Sequence, residues 1–320
     1  MFVITLKPNK IALNKLLNLK NKGFENFRVN FARNTLEENL SLVHQLKEMG
    51  NTVFVDLPGE KHRINYQKGI RYLKEHDIVT IKKGCSALDD ETIVTLDNDE
   101  IFQIIKISDI VKIGDSNALL KVISKTSTQF KLECISSGKL YNKAGITIDG
   151  NYIYKKHLCS SDKIILSSLD FKEINYLCVS FTDCSDIILE IRDLYPETSK
   201  TKVIAKIESP IGVQNLDAIL SVSDGILLAR SDLSKFYSRE QLSELANYFK
   251  QHIPDSKILV FASNYFINSI QEKIYDIEEV RYFIHDYLLE PDYIYINETY
   301  YCTDIENVID IYMKNINLQV

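Results

Sequence analysis

Residues able to hold a metal ion, phosphate oxygens and developing negative charge stand at the ends of short apolar runs: Arg28-Val29-Asn30, Asp56, Lys206-Ile207-Glu208, Arg230-Ser231-Asp232 and Ala262-Ser263. Two carboxylates, Glu208 and Asp232, with room for water and a substrate oxygen, suit Mg²⁺ or Mn²⁺, which take oxygen ligands and keep positions open for substrate. Lys206 adds a compact ammonium beside them, and Arg28 and Arg63 carry planar guanidinium forks that match phosphate oxygens two at a time. Phosphoryl transfer needs such a set, because the protein's part is to position groups and neutralise charge on the moving phosphoryl. Alone, any Lys-x-Glu reads as a structural ion pair. Several such pairs at the ends of consecutive runs read as a site, since residues i and i+2 of a strand share a face and point together.

The elements that must position them are eight runs rich in β-branched and aromatic residues: Phe2–Leu6, Phe27–Phe31, Thr52–Asp56, Leu177–Phe181, Lys202–Glu208, Gly225–Arg230, Lys257–Ser263 and Tyr293–Asn297. Segments with helical spacing separate most of them, such as Leu36, Leu40, Val43 and Leu46, so strand and helix alternate. From about Ile64 to Gly145 the pattern changes to strands alone, His76–Ile81, Glu91–Leu96, Ile101–Ile107, Ala118–Ser124 and Gln129–Ile135, with turn residues between them. The expectation is an α/β fold, a (β/α)₈ TIM barrel of residues 1–63 and 146–320 with an inserted all-β lid domain over 64–145. An open doubly wound sheet would carry a Gly-rich phosphate turn, and the 11 glycines form neither GxGxxG nor GxxxxGK[ST]. The chain ends soon after the eighth helical segment, so no third domain is expected. Tyr265, Phe266 and the tyrosine-rich stretch Tyr293–Tyr301 read as packing and rim, and the Lys82-Lys83 and Lys155-Lys156 doublets as solvated surface.

Composition narrows the classes. Apolar residues are 45% and charged residues 26% of the 320, which is the usage of a folded domain, and the net charge of −6 with dispersed Lys and Arg leaves no basic field for nucleic acid or an anionic membrane. The start, MFVITLKPNK, lacks the basic region and long apolar run of a secretory signal, so a cytoplasmic protein is expected. The six cysteines form no CxxC pair and the six histidines no HxxxH or HExxH; reduced thiols are expected, and a zinc hydrolase is not.

At these residues the sequence resembles the pyruvate kinase family over nearly its whole length. Phe27-Arg28-Val29-Asn30-Phe31 is similar to the family's ARLNF strand, and Asp56-Leu57-Pro58-Gly59-Glu60-Lys61-His62-Arg63 to its DTKGPEIR stretch. Gly145-Ile146-Thr147-Ile148-Asp149-Gly150 resembles GVNLPG, Ile204-Ala205-Lys206-Ile207-Glu208 resembles ISKIE, and Ala262-Ser263-Asn264 corresponds to ATQ. Ser223–Leu233 resembles SDGIMVARGDL.

The resemblance implies that Glu208 and Asp232 bind the divalent metal, that Lys206 stabilises the phosphoryl in flight and the enolate, and that Arg28 and Arg63 hold the phosphate. It implies that Ser263 helps protonate the enolate and that Ser180 lines the same pocket. Pro8, Arg33 and Lys143 fall on the nucleotide side, where the lid closes and excludes water. Asn30 and Asp56 remain from the family's monovalent-cation corner and lie on the substrate side, whereas Ala32 replaces the family's serine there. Ser231 and Ser234 stand for two glycines whose amides receive the substrate carboxylate. Lys61 stands where potassium-dependent members have glutamate and the potassium-independent branch has lysine, so its ammonium implies activity without potassium. The C-terminal regulatory domain has no counterpart in the sequence. The activity implied is phosphoryl transfer between phosphoenolpyruvate and ADP, giving pyruvate and ATP, with small-molecule substrates; homo-oligomerisation stays open. Two alternatives remain: a kinase of this fold with another donor or acceptor, and a metal-dependent enolate-forming lyase or aldolase acting on an oxo-acid. The intact metal pair and Lys206 argue against a non-catalytic regulatory paralogue.

Overall fold

The β-branched and aromatic runs that open the chain form β1 (Phe2–Leu6), β2 (Asn26–Asn30) and β3 (Thr52–Asp56) in a computed structural model. It describes residues 1–8, 13–59, 62–84, 90–96, 99–114, 118–148, 155–266, 270, 276–297, 299 and 305–317. The chain divides into two units, residues 1–59 with 154–320 and residues 60–153.

Residues 60–153 carry β4 (Ile70–Leu73), β5 (Ile78–Lys83), β6 (Ile93–Leu96), β7 (Ile110–Ile113), β8 (Ala118–Lys125), β9 (Gln129–Ser136), β10 (Gly138–Tyr141) and β11 (Ile146–Ile148). They form a two-stranded sheet, β10-β4, and a six-stranded sheet in the order β11-β7-β8-β9-β5-β6. Alternating residues such as Val79, Ile81, Leu120, Val122, Phe130 and Leu132 make a core of their own, as period-two patterning requires. One expected strand is not there. Within Ile101–Ile107 the chain instead forms the end of a helix, Asp99–Ile104, so this unit is not all-β. The buried positions are Ile101, Phe102 and Ile105, while Ile107 is exposed. That is one face of a helix, and a strand would have buried every second residue.

The other unit is completed by β12 (Tyr176–Val179), β13 (Lys202–Ile207), β14 (Gly225–Ala229), β15 (Ile258–Ser263) and β16 (Tyr293–Ile296). Its eight strands close into a parallel barrel in the order β1-β16-β15-β14-β13-β12-β3-β2. The strands' outward residues pack under helices such as Leu36–Glu48, which begins with a capping box between Thr35 and Glu38 and buries Leu42, Val43 and Leu46. The inward residues are large. Phe54 stacks on Tyr176 with ring centroids 4.1 Å apart and meets Tyr293 edge-on at 5.0 Å. The hydroxyls of Tyr176 and Tyr293 lie 3.0 Å apart, and Cys178 Sγ is 3.0 Å from the Tyr295 hydroxyl, so the buried phenols keep polar partners. This aromatic plug fills the barrel. Gly225 admits the close approach of β14 to β15, because a Cβ there would stand 2.3 Å from the Ile258 carbonyl oxygen.

Several strands end earlier than the runs suggest: β12 stops at Val179, β13 at Ile207 and β14 at Ala229. Lys155 is buried rather than solvated, and its backbone N–H donates to Asp183 Oδ2 at 2.7 Å. Cys134, Cys159, Cys178 and Cys184 are free thiols, and Cys85 and Cys302 lie outside the described residues. Among the described residues no helix is long and apolar enough to cross a membrane.

Candidate functional site

At the C-terminal ends of the barrel strands the aromatic filling gives way to paired charges. Lys206, one residue from the end of β13, donates from Nζ to Asp56 Oδ1 at 2.9 Å and to Ser180 Oγ at 2.6 Å, and lies 3.4 Å from Glu208 Oε1. Arg28 on β2 faces the other oxygen of the same aspartate: its Nε and Nη2 both reach Asp56 Oδ2 at 2.6 Å. Asp56, the last residue of β3, is thus gripped by two cations. Ser180 follows β12 and donates to the Leu57 carbonyl at 2.7 Å.

These groups are all buried, and burial alone works against the charge on Lys206, Asp56 and Glu208. The pairing decides otherwise. Burial disfavours the Lys206 charge, but Asp56 and Glu208 outweigh it and hold the ammonium above its ordinary range. Burial likewise works against the Asp56 carboxylate, and Arg28 with Lys206 reverses it and pulls the carboxyl below its usual value. Glu208 goes the other way. Burial, reinforced by the charges of Asp232 and Asp56 and opposed by Lys206, pushes it up to about 7.

Glu208 is held by backbone as well as by charge. Its Oε2 accepts the Phe181 N–H at 2.7 Å, and Phe181 sits at φ +51°, in the left-handed region that a non-glycine residue adopts only when its surroundings impose it. Gly59 lies against the same turn at φ +62°, where a Cβ would stand 2.8 Å from Ser180 Cβ and 2.9 Å from Phe181 Cδ2.

Asp232 falls in the short helix Arg230–Leu233, and Lys235 Nζ reaches its Oδ1 at 2.8 Å. Ser231 Oγ accepts the Asn264 N–H at 3.2 Å, and the carbonyl of buried Ser263 accepts from Asn297 Nδ2 at 3.1 Å. Asn30 turns its Oδ1 to the Ala32 N–H at 3.0 Å. Pro8 is buried beyond β1, and half-buried Arg33 uses its backbone carbonyl to cap Asn39 Nδ2 at 2.7 Å. In the unit of residues 60–153, Arg63 Nη1 donates to the Lys143 carbonyl at 3.0 Å, and Lys143 Nζ to Asn65 Oδ1 at 2.5 Å. Lys61 lies outside the described residues. Arg230 does not join the mouth with Asp232: it is fully buried against Asp286 of the helix Ile277–Leu288, because β14 has ended and the helical turn carries the two side chains apart.

Three residues of the mouth go beyond those singled out from sequence. Thr5 Oγ1 and Asn297 Oδ1 accept from Arg28 Nη1 at 3.1 and 3.2 Å. Strand parity carried the signal for Asn297, which shares the inward face of Tyr293 and Tyr295. Asp162, buried in the first turn of the helix Ser160–Ser168, accepts the Gly59 N–H at 3.2 Å. No local pattern marks it.

Asp162 gives the fold a pH dependence. Burial, only partly opposed by the Gly59 N–H, raises its carboxyl from 3.8 to about 6. An acid whose folded pKa is raised is bound to its proton more tightly in the native state, so its ionisation lowers stability as pH climbs from about 4 through 6. Asp162→Asn keeps an acceptor for Gly59 and removes the ionisation. It is expected to stabilise by about 3 kcal/mol at pH 8 and roughly half that at pH 5. Urea unfolding at the two pH values checks this, and an equal gain at both would show that the charge is not the cause.

The family model for the pyruvate kinase barrel domain matches residues 1–270. The pyruvate kinase of Aeropyrum pernix is 25% identical over 279 residues, covering 85% of this chain and 59% of that protein. That of Buchnera aphidicola subsp. Acyrthosiphon pisum is 30% identical over 247 residues, covering 72% and 51%. The Thermotoga maritima pyruvate kinase is 25% identical over 239 residues, again covering 72% and 51%. The chain therefore spans about half the length of the curated relatives it matches. On the matched barrel domain and these relatives, the chain belongs to the pyruvate kinase family.

Proposed function

We propose that this chain catalyses phosphoryl transfer between phosphoenolpyruvate and ADP. The observation that carries the reading is the convergence on Asp56 of Lys206 and Arg28, with Ser180 and Glu208 against the same ammonium. Lys206 offers a fixed positive charge where charge develops, which is the electrostatic stabilisation that gains most from a buried, preorganised site. Arg28 holds the phosphate beside it, Ser180 orients Lys206, and Ser263 stands next to the carbon that takes up the proton. Pro8 and Arg33, with Arg63 and Lys143 of the other unit, are assigned to nucleotide and phosphate on the family resemblance alone. The substrates are small molecules, and the reading places the protein in the cytoplasm.

Glu208 and Asp232 fit a divalent cation. Burial first, and then the charge of Asp232, push the Glu208 carboxyl up to about 7, and a cation held by the two carboxylates would oppose both effects. Two protein carboxylates, with substrate and water completing the shell, is the usual Mg²⁺ arrangement, and among the described residues no larger cluster of His, Cys, Asp and Glu competes for it. Mg²⁺ or Mn²⁺ bound there would neutralise charge on the phosphoryl and enolate oxygens.

Phosphorus NMR of the protein with phosphoenolpyruvate, Mg²⁺ and ADP tests the reading: loss of the substrate resonance with growth of the ATP γ-phosphate supports it. Loss only with another acceptor, or release of inorganic phosphate alone, overturns it in favour of a different kinase or of hydrolysis. Lys61 adds an expectation: turnover in tetramethylammonium buffer without potassium, which many-fold rescue by potassium would contradict.

A further inference from the structure

Asn297 connects the Arg28 side of the mouth to the Ser263 side. It follows β16, and the alternation Tyr293, Tyr295, Asn297 sets it above the aromatic plug on the inner face. Its Oδ1 accepts from Arg28 Nη1 at 3.2 Å and from Thr5 Oγ1 at 3.3 Å, and its Nδ2 donates to the Ser263 carbonyl at 3.1 Å. These partners decide which way the carboxamide faces. Turned over, its NH₂ would meet the guanidinium donors and its oxygen the Ser263 carbonyl.

The chemistry of the side chain matters. Arg28 already spends Nε and Nη2 on Asp56, so its charge is answered by that carboxylate. A neutral acceptor at Nη1 fixes the plane of the fork without a second anion that would compete with phosphate. Thr5 gives Nη1 another neutral acceptor at 3.1 Å. The same carboxamide fixes the backbone that carries Ser263. A carboxamide does not ionise near neutrality, so Asn297 acts only through its neighbours.

We propose that Asn297 is a positioning residue that sets Arg28 and Ser263 relative to each other, coupling the group that holds phosphate to the group beside the enolate. The proposal rests on the phosphotransferase reading above. Orientation errors of an ångström at a reacting centre cost rate steeply, and a residue that orients two groups is expected to be coupled energetically to both.

The test is a pair of double-mutant cycles in the full chain, with kcat and KM for phosphoenolpyruvate measured at saturating Mg²⁺ and ADP. Asn297→Ala is expected to raise KM about tenfold through Arg28 and to lower kcat about tenfold through Ser263, of the size seen when contacting residues are uncoupled. Added to Arg28→Lys, it should raise KM less than twofold further; added to Ser263→Ala, it should lower kcat less than twofold further. Losses that simply multiply in both cycles overturn the coupling, because a general loosening of the fold would add to any neighbour. Should Asn297→Ala not fold, Asn297→Ser takes its place in the same cycles, and failure of both to fold overturns the role in favour of a purely structural one. Wild-type protein without turnover of phosphoenolpyruvate and ADP overturns the phosphotransferase reading and this proposal with it, whereas turnover with multiplying losses overturns this proposal alone.

Discussion

Lys206→Met is expected to lower kcat by a factor of about 10² to 10³ while the barrel stays folded. The factor corresponds to about 2.7–4 kcal/mol of lost barrier lowering, the scale for one preorganised electrostatic partner. The survival of the fold follows from what the ammonium leaves behind. Asp56 keeps Arg28 on its other oxygen. Glu208, already pushed up to about 7, loses the cation that holds it down and takes up a proton. No unpaired buried charge remains, which is the condition that makes broken buried pairs costly. The sign of the pH effect follows too: with Glu208 raised further, Mn²⁺ binding should weaken at pH 7 and recover as pH rises. Steady-state kinetics, urea unfolding and Mn²⁺ titration at two pH values check the three statements. A variant with near wild-type kcat would remove Lys206 from the mechanism.

Arg230→Met should be the most destabilising single change at the barrel rim, by about 3–5 kcal/mol, because it strands a carboxylate in the interior. Asp286 has no exposure, and it is ion-paired with Arg230 while accepting from the Tyr265 hydroxyl at 2.6 Å. Arg230 also lies over the Tyr282 ring at 3.9 Å and donates to Ser243 Oγ at 3.2 Å. The guanidinium thereby ties the helix Arg230–Leu233, which carries Asp232, to the helices Arg239–His252 and Ile277–Leu288. Replacing both members, Arg230→Met with Asp286→Leu, is expected to recover most of the loss, since the charge is then gone rather than orphaned. Chemical unfolding of the single and double variants decides. A single variant within about 1 kcal/mol of wild type would mean that solvent, or His285, whose Nδ1 lies 3.2 Å from Asp286 Oδ1, compensates the carboxylate.

The same residue marks where sequence reasoning stops. Runs such as Gly225–Ala229 and Ile258–Ala262 announce themselves because parallel strands buried on both faces must be continuously apolar, and they order the barrel without a structure. Their last residues are less legible: Arg230 follows Ala229 as though still on the strand, and only the helical turn reveals that it points away from Asp232. Ile101–Ile107 misleads for a related reason, since isoleucines two apart satisfy a strand and a short helix alike, and burial of Phe102 settles which. Lys206, Glu208, Asp56 and Arg28 could be named from type and strand ends, and Ser180 only from the family resemblance. Asn297 was hidden by the tyrosines around it, whose bulk suggested packing, and Asp162 by having no pattern at all.

The barrel's closing seam has a consequence for folding. β1 pairs with β16, Phe2 opposite Ile294 and Val3 opposite Tyr295, and the Met1 ammonium donates to the Asp292 carbonyl at 2.7 Å. β1 therefore finds one of its neighbours only in β16, about 290 residues further along the chain. β3 and β12 must likewise join across the whole of residues 60–153, as Phe54 opposite Tyr176 shows. The entropic cost of such long closures grows only slowly, about 0.6 kcal/mol per doubling of the loop, so the burden falls on timing rather than on final stability. A chain in which β16 had yet to join would have residues 60–153 with a core of their own and a barrel sheet with β1 and β15 as unpaired edges. Such edges invite pairing with other chains, and β16, lying between β15 and β1, removes both at once.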